Sequence, residues 1–266
     1  MNAPIDPLPD LPSGLLAGRK VLVTGIANDQ SIAYGCARAF RALGADLAIT
    51  YLNDKAYPHV APLAEALGAA LLLPLDVTRD GELEAVFEAV ARRWGSLDSA
   101  LHSMAYAPRA DLQGRLVDCS RDGFLTAMDV SCHSFVRMAR LAEPLMTRGG
   151  TLFTMSFHGA TRVVEHYDVM GPVKAALEAS VRYLAHELGP RGIRVHAISP
   201  GPIRTRAASG LAEFDALVAD ATARAPAHML AGIDDVGYAT AMLAADHARL
   251  LTGSTLYVDG GYHIMN

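Results

Sequence analysis

Cysteine is scarce in this chain. Cys36, Cys119 and Cys132 are an odd, scattered set with no pair at CxxC spacing. That excludes a disulfide framework or a cysteine zinc site, and leaves three small hydrophobes in a reducing compartment. His158 and His166 have no acidic or cysteine neighbour at metal-ligand spacing, so no metal is expected. Positive charge is not in excess either. The formal net charge of -5 gives no electrostatic reason to bind nucleic acid or an anionic membrane surface. No run approaches the ~20 apolar residues needed to cross a bilayer. The opening MNAPIDPLPDLPSG has neither the basic start nor the apolar stretch of a signal peptide. Residues 1–13 read as a flexible leader, residues 14–266 as one domain, and the protein as cytoplasmic.

Apolar material is plentiful. Hydrophobic residues make up 51% of the chain and charged ones 19%, enough for a large core in a single domain of this length. From residue 20 onward, short β-rich runs alternate with stretches of helical periodicity. The strands are expected at Lys20–Thr24, Asp46–Tyr51, Ala69–Leu75, Leu97–Met104, Thr151–Ser156, Arg194–Ser199 and Thr255–Val258. Helices are expected at Ser31–Leu43, Glu82–Trp94, Phe124–Met146, Val173–Leu188 and Asp234–Ala245, the last capped by Asp234. Several strands are almost continuously apolar, as strands covered on both faces are. The pattern predicts an α/β fold, a single doubly wound Rossmann-type domain with a seven-stranded parallel sheet. The segment at about 204–232 follows the carboxyl end of a strand, where such folds place substrate lids. A plain surface excursion fits it equally.

Two features carry chemistry. The first strand ends in Thr24-Gly25 and the next helix begins near Ser31-Ile32-Ala33. Glycine at 25 allows a sharp turn off the strand, which aims helix N-terminal amides at a pyrophosphate. The turn reads TGIANDQSIAYG, two residues longer than the common TGxxxGIG and with serine where glycine is usual. At the end of the second strand, Tyr51-Leu52-Asn53-Asp54-Lys55 has no arginine for a 2′-phosphate, which favours NADH, while Lys55 keeps NADPH open. Asp76, closing the third strand, stands where a carboxylate can reach the adenine amino group.

The second feature is Tyr167 with Lys174. Hydride transfer to a carbonyl or enone leaves negative charge on oxygen. A tyrosine answers that charge best when a nearby cation stabilises its ionised form. Seven residues of helix make about 700°, so the two side chains would point nearly the same way. Pro172 is tolerated only in a first turn, which puts Tyr167 at the mouth of the helix. The alternative is a tyrosine at a helix start and a lysine on a solvated face.

Together, TG-x5-SIA, YLNDK, HSMAYAP, YDVMGPVKAALEASVRY and ISPGPIRTRAASG resemble the bacterial enoyl-acyl-carrier-protein reductases, a divergent branch of the short-chain dehydrogenase/reductase superfamily. The resemblance runs from about Gly18 to Gly261. The Tyr-x6-Lys spacing, with Met170 four residues before the lysine, separates this branch from ordinary members with Tyr-x3-Lys. The resemblance implies NAD(P)H-dependent reduction of the trans-2 double bond of an enoyl thioester carried on acyl carrier protein, by a homotetramer. It implies Tyr167 as the donor to the enolate oxygen and Lys174 on the ribose. It places Gly25, Ser31 and Ile32 at the pyrophosphate, and Leu52, Asp76 and Val77 at the adenosine. Met104, Ile203 and Thr205 fall at the nicotinamide half, and Ala107 and Phe157 at the substrate.

The chain also departs from that family. MSFHGA stands where a segment like LSYLGA is usual, so Phe157 replaces a second tyrosine. Ala105 replaces the glycine of HSIGFAP, and Leu52 replaces a residue that is often polar. Two other readings stay open: a related reductase acting on another enone or carbonyl, and a nicotinamide-binding sensor without turnover.

Overall fold

The apolar strand runs pair into one sheet. In the computed structural model, which describes residues 14–205 and 214–265, β1 (Lys20–Thr24), β2 (Asp46–Tyr51), β3 (Leu71–Pro74), β4 (Ser99–His102), β5 (Gly150–Met155), β6 (Ile193–Pro200) and β7 (Thr255–Val258) are all parallel. Their order is β3-β2-β1-β4-β5-β6-β7. This is the doubly wound Rossmann arrangement, with its reversal of winding between β1 and β4.

Successive strand residues face opposite sides, and each side has its own core. Leu22, Ala100, Leu152 and Val195 pack under α3 (Glu82–Trp94), α6 (Ser134–Ala142) and α7 (Met170–Leu188). Val21, Val23, Leu101, Phe153 and Ile198 pack under α1 (Ile32–Ala42), α2 (Tyr57–Ala66) and α9 (Ile233–Ala244). The α1–α9 contact is backbone on backbone: a Cβ on Gly35 would lie 2.1 Å from the Ile233 carbonyl oxygen. No helix among the described residues is long and apolar enough to cross a membrane, and no group of potential metal ligands occurs among them.

Several local expectations change. After the short α4 (Arg109–Leu112), the long helix expected over Phe124–Met146 is α5 (Arg121–Met128), a π turn (Asp129–His133), α6 and a short 3-10 turn. The helix at Tyr57–Ala66 is additional; Pro58 sits in its first turn and Pro62 inside it. The N-cap of α9 is Gly232, not Asp234, and its amide donates to the carboxylate of Asp235 in the first turn at 2.7 Å. Within the expected lid, α8 (Phe214–Arg224) is helical, and Ala221 and Ala225 pack on Tyr262 near the C-terminus. Residues 206–213 of that expectation, and the leader at 1–13, lie outside the described residues.

The sheet interior contains two buried histidines. His102 is held between Ser134 Oγ (2.7 Å) and Thr154 Oγ1 (3.2 Å). His196 bonds Ser254 Oγ at 3.1 Å and stacks on Phe153, and its Nε2 has no partner. Burial first, then the charges of Lys174 and Arg194 respectively, lowers them to about 3 and about 4. Both are therefore neutral when folded but protonate near their ordinary value when unfolded. Stability should fall as pH drops below that value, by up to ~1.4 kcal/mol per pH unit for each histidine. His196→Asn should flatten the fall in thermal midpoint between about pH 7 and pH 5. An unchanged slope would remove His196 from this linkage.

Candidate active site

The carboxyl ends of β1, β4, β5 and β6 converge where the sheet reverses its winding. Thr24 Oγ1 donates to the Leu101 carbonyl at 2.9 Å, fixing the last residue of β1. Gly25 follows with φ +93, and a Cβ there would lie 2.0 Å from the Ser103 carbonyl oxygen. Only glycine lets the turn pass this close to β4. The loop then folds on Ser31, whose Oγ accepts from the amides of Ala27 (3.0 Å) and Asn28 (3.1 Å). Asn28 Oδ1 in turn accepts from the Gln30 amide at 3.1 Å. Ser31 thus spends its side chain on the turn's own shape, and α1 begins at Ile32 with no side-chain cap. The Tyr34 and Gly35 amides already donate to the Ser31 carbonyl, which leaves those of Ile32 and Ala33 to meet an anion.

The expected adenosine-side residues lie on the β2–β3 flank. Leu52 is exposed, and Asn53 Oδ1 bonds the amides of Lys55 and Ala56, both at 3.1 Å. Asp76 accepts from the Thr78 amide (3.0 Å) and hydroxyl (2.6 Å), with Arg79 3.7 Å from its other oxygen. Val77 is buried, and its carbonyl accepts from Arg137 at 3.1 Å. Beyond β4, Met104 is half-buried, Ala105 and Tyr106 are exposed, and Ala107 is buried in the core under α3 and α7. Ser131 holds this loop, accepting from the Tyr106 amide at 3.0 Å and donating to its carbonyl at 3.2 Å. Beyond β6, Ile203 packs against the α1-side core, and Thr205 is partly buried.

Tyr167 and Lys174 are brought to this edge by different means. The tyrosine precedes α7, in a turn whose neighbours His166 (φ 61) and Asp168 (φ 30) have left-handed backbone. Helix phase therefore does not set its direction; this turn does. Its ring is buried against Phe157, 4.8 Å between centroids, and a Cβ on Gly159 would lie 2.5 Å from it. Lys174 is buried, and its Nζ donates to the Met155 carbonyl at 2.7 Å, at the end of β5. Burial lowers Lys174 to about 8, with Cys132 and then Glu178 pulling the other way. Burial and then the Glu178 charge push the Tyr167 phenol well above its ordinary value. The phenol stays protonated, which suits a hydrogen-bond donor.

Gly25, Met104, Phe157 and Ile203 thus follow strand ends that meet at one edge, Tyr167 from the turn before α7 and Lys174 from α7 itself join them there, and Leu52, Asp76 and Val77 lie farther along the flank. Sequence reasoning passed over Ser131, Ser156 and Glu178. An acid four residues after Lys174, on the same face of an amphipathic helix, was the signal available for Glu178.

A sequence model of the family described as "Enoyl-(Acyl carrier protein) reductase" matches residues 25–263. The enoyl-acyl-carrier-protein reductase (NADH) of Aquifex aeolicus is 44% identical over 253 residues, 95% of this chain and 94% of that protein. Its counterpart from Nostoc is 46% identical over 253 residues, 94% of this chain and 98% of that protein. Among solved structures, the enoyl-(acyl-carrier-protein) reductase of Anaplasma phagocytophilum, in complex with NAD, is similar with a TM-score of 0.92 and 46% identity, covering 96% of this chain and 97% of that one. The Bacillus cereus enoyl-acyl carrier protein reductase, with NADP+ and an indole naphthyridinone, gives 0.92 and 44%, over 95% and 99%.

Proposed function

Because the chain belongs to the enoyl-(acyl carrier protein) reductase family, we propose that it reduces the trans-2 double bond of enoyl thioesters with NADH. The observation that supports this most is the placement of buried Tyr167 and Lys174 at the sheet edge that holds the Gly25 turn. A nicotinamide dinucleotide fits that edge: the glycine leaves backbone-level space, and α1 presents uncapped amides. NADH, when bound, supplies the hydride.

The chain's own residues would do the rest. Reduction at the β-carbon puts negative charge on the thioester oxygen, and the protonated Tyr167 hydroxyl donates to it, favouring the transition state over the ground state. Lys174, anchored at Met155, orients the ribose and lends positive field to the tyrosine. Phe157 packs the Tyr167 ring without a hydroxyl of its own, so no second donor comes from that position. Gly25, Ser31 and Ile32 shape the pyrophosphate cradle, with Leu52, Asp76 and Val77 toward the adenosine. Met104, Ile203 and Thr205 border the nicotinamide half, and Ala107 the substrate. Acyl carrier protein would present the enoyl chain, and the working unit is a homotetramer in the cytoplasm.

The test is NADH oxidation with 2-enoyl thioesters of increasing length, beside a β-ketoacyl thioester and beside NADPH. Turnover should be confined to the enoyl series and be at least several-fold better with NADH in kcat/KM, since neither Leu52 nor Asn53 offers a cation to a 2′-phosphate. Preferential turnover of the ketone would overturn the substrate assignment. Preference for NADPH would make Lys55 the phosphate partner.

A further inference from the structure

A buried carboxylate lies beside this site. Glu178 is 6% exposed, one helical turn after Lys174 on the same face of α7. The Ser156 hydroxyl donates to Glu178 Oε1 at 2.5 Å. Lys174 Nζ donates to the carbonyl of the residue just before, Met155, at 2.7 Å. Consecutive turns of one helix therefore grip the last residue of β5 and the residue that follows it. The grip falls where the strand needs it. β4 stops at His102, opposite Thr154, so the Met155 carbonyl lies past the end of that ladder and Lys174 supplies its donor. The next residue along is Phe157, whose ring backs Tyr167.

We propose that Glu178 is a positioning residue: with Lys174 it clamps the end of β5, and its carboxylate is the countercharge that keeps the Lys174 ammonium charged in a buried site. A buried cation without a partner tends to neutralise, while a carboxylate nearby favours its charged form. The titratable groups facing the pair from the neighbouring elements are Cys132 on the π turn, His102 on β4 and Tyr167 ahead of α7. Burial keeps the Cys132 thiol and the Tyr167 phenol protonated and the His102 ring neutral. His158, on the 3-10 turn packed against α7, has Asp259, His263, Arg162 and Arg224 as its charged neighbours, and burial keeps it low as well. Of the two groups that favour charged Lys174, Cys132 and then Glu178, Glu178 is the carboxylate. The link to catalysis rests on the proposed role of Lys174 at the cofactor ribose.

The charge claim can be read without cofactor or substrate. The chain's lysines are Lys20, Lys55 and Lys174, so selective lysine 13Cε labelling gives a spectrum in which Lys174 is assigned by substituting the other two. In the unliganded wild type its resonance should titrate near about 8. Glu178→Gln keeps an acceptor for Ser156 and removes the charge; the midpoint should fall by about one pH unit. Ser156→Ala cuts the clamp but keeps the charge, so the midpoint should stay. Its KM for the enoyl thioester should rise several-fold as Phe157 loosens, with NADH affinity unchanged. A Glu178→Gln protein that titrates as wild type would overturn the countercharge, and a Ser156→Ala protein with wild-type KM would overturn the clamp. Absence of any enoyl reduction by the wild type would instead count against the proposed reaction, and the titration would still decide the role of Glu178.

Discussion

Tyr167→Phe should lower kcat on the best enoyl thioester by roughly 10²–10³-fold while NADH affinity changes little. The substitution removes one oxygen and leaves the ring. That ring is locked between Phe157 and Gly159, where even a methyl group would collide with it, so the phenylalanine should keep the same place and open no cavity. The loss then measures the donor alone. Because the hydroxyl meets charge that develops during reduction, the loss should appear in kcat more than in KM. Lys174→Ala differs in kind. It also removes the donor to Met155 and the ribose contact, so NADH binding and turnover should fall together, with some loss of stability at the end of β5. A Tyr167→Phe enzyme with near-native turnover would show that the enolate finds its donor elsewhere, and exposed Tyr106 would be the next residue to substitute.

The fold was legible wherever a strand's pattern had nothing competing with it. β1, β2 and β7 begin and end where the apolar runs do. β4 is shorter than its run Leu97–Met104 because the chain leaves the sheet after His102 to form the loop held by Ser131. Apolarity marks burial there, and pairing decides where a strand ends. α2 was not expected at all; Pro58 is tolerated in its first turn, and Pro62 lies inside it. The π turn at Asp129–His133 leaves the side-chain pattern helical and changes only which carbonyl each amide meets. At the site, residue types were readable but their geometry was not. The Tyr-x6-Lys spacing suggested one helical face, yet a non-helical turn directs the tyrosine. The Ser31 hydroxyl accepts from the Ala27 and Asn28 amides, a turn geometry that residue spacing does not show. Glu178 was hidden because an acid on a helix is ordinarily solvated, and only tertiary packing against Ser156 makes this one a partner of the site.

Gly25→Ala should have the largest effect on cofactor binding of any single methyl group added to this chain. Two costs combine there. The backbone has φ +93, a conformation that costs an L-residue about 1–2 kcal/mol. In addition, the new Cβ would lie 2.0 Å from the Ser103 carbonyl oxygen and 2.6 Å from its carbon. Those are backbone atoms at the end of β4 and cannot rotate away, so the turn, the strand end or both must shift. Any such shift moves the amides at the start of α1 relative to the loop that carries Met104. Gly81→Ala separates the two costs: its φ is +82, and nothing lies within 4 Å of its added Cβ. That control should lose about 1–2 kcal/mol of stability and bind NADH as wild type does. Gly25→Ala should lose more stability than the control, and its NADH dissociation constant should rise at least ~100-fold, about 2.7 kcal/mol. The comparison needs only chemical denaturation and a fluorescence titration on the two variants. Should Gly25→Ala bind NADH within about threefold of Gly81→Ala, under ~0.7 kcal/mol apart, the close approach of this turn to β4 is not what forms the pyrophosphate cradle.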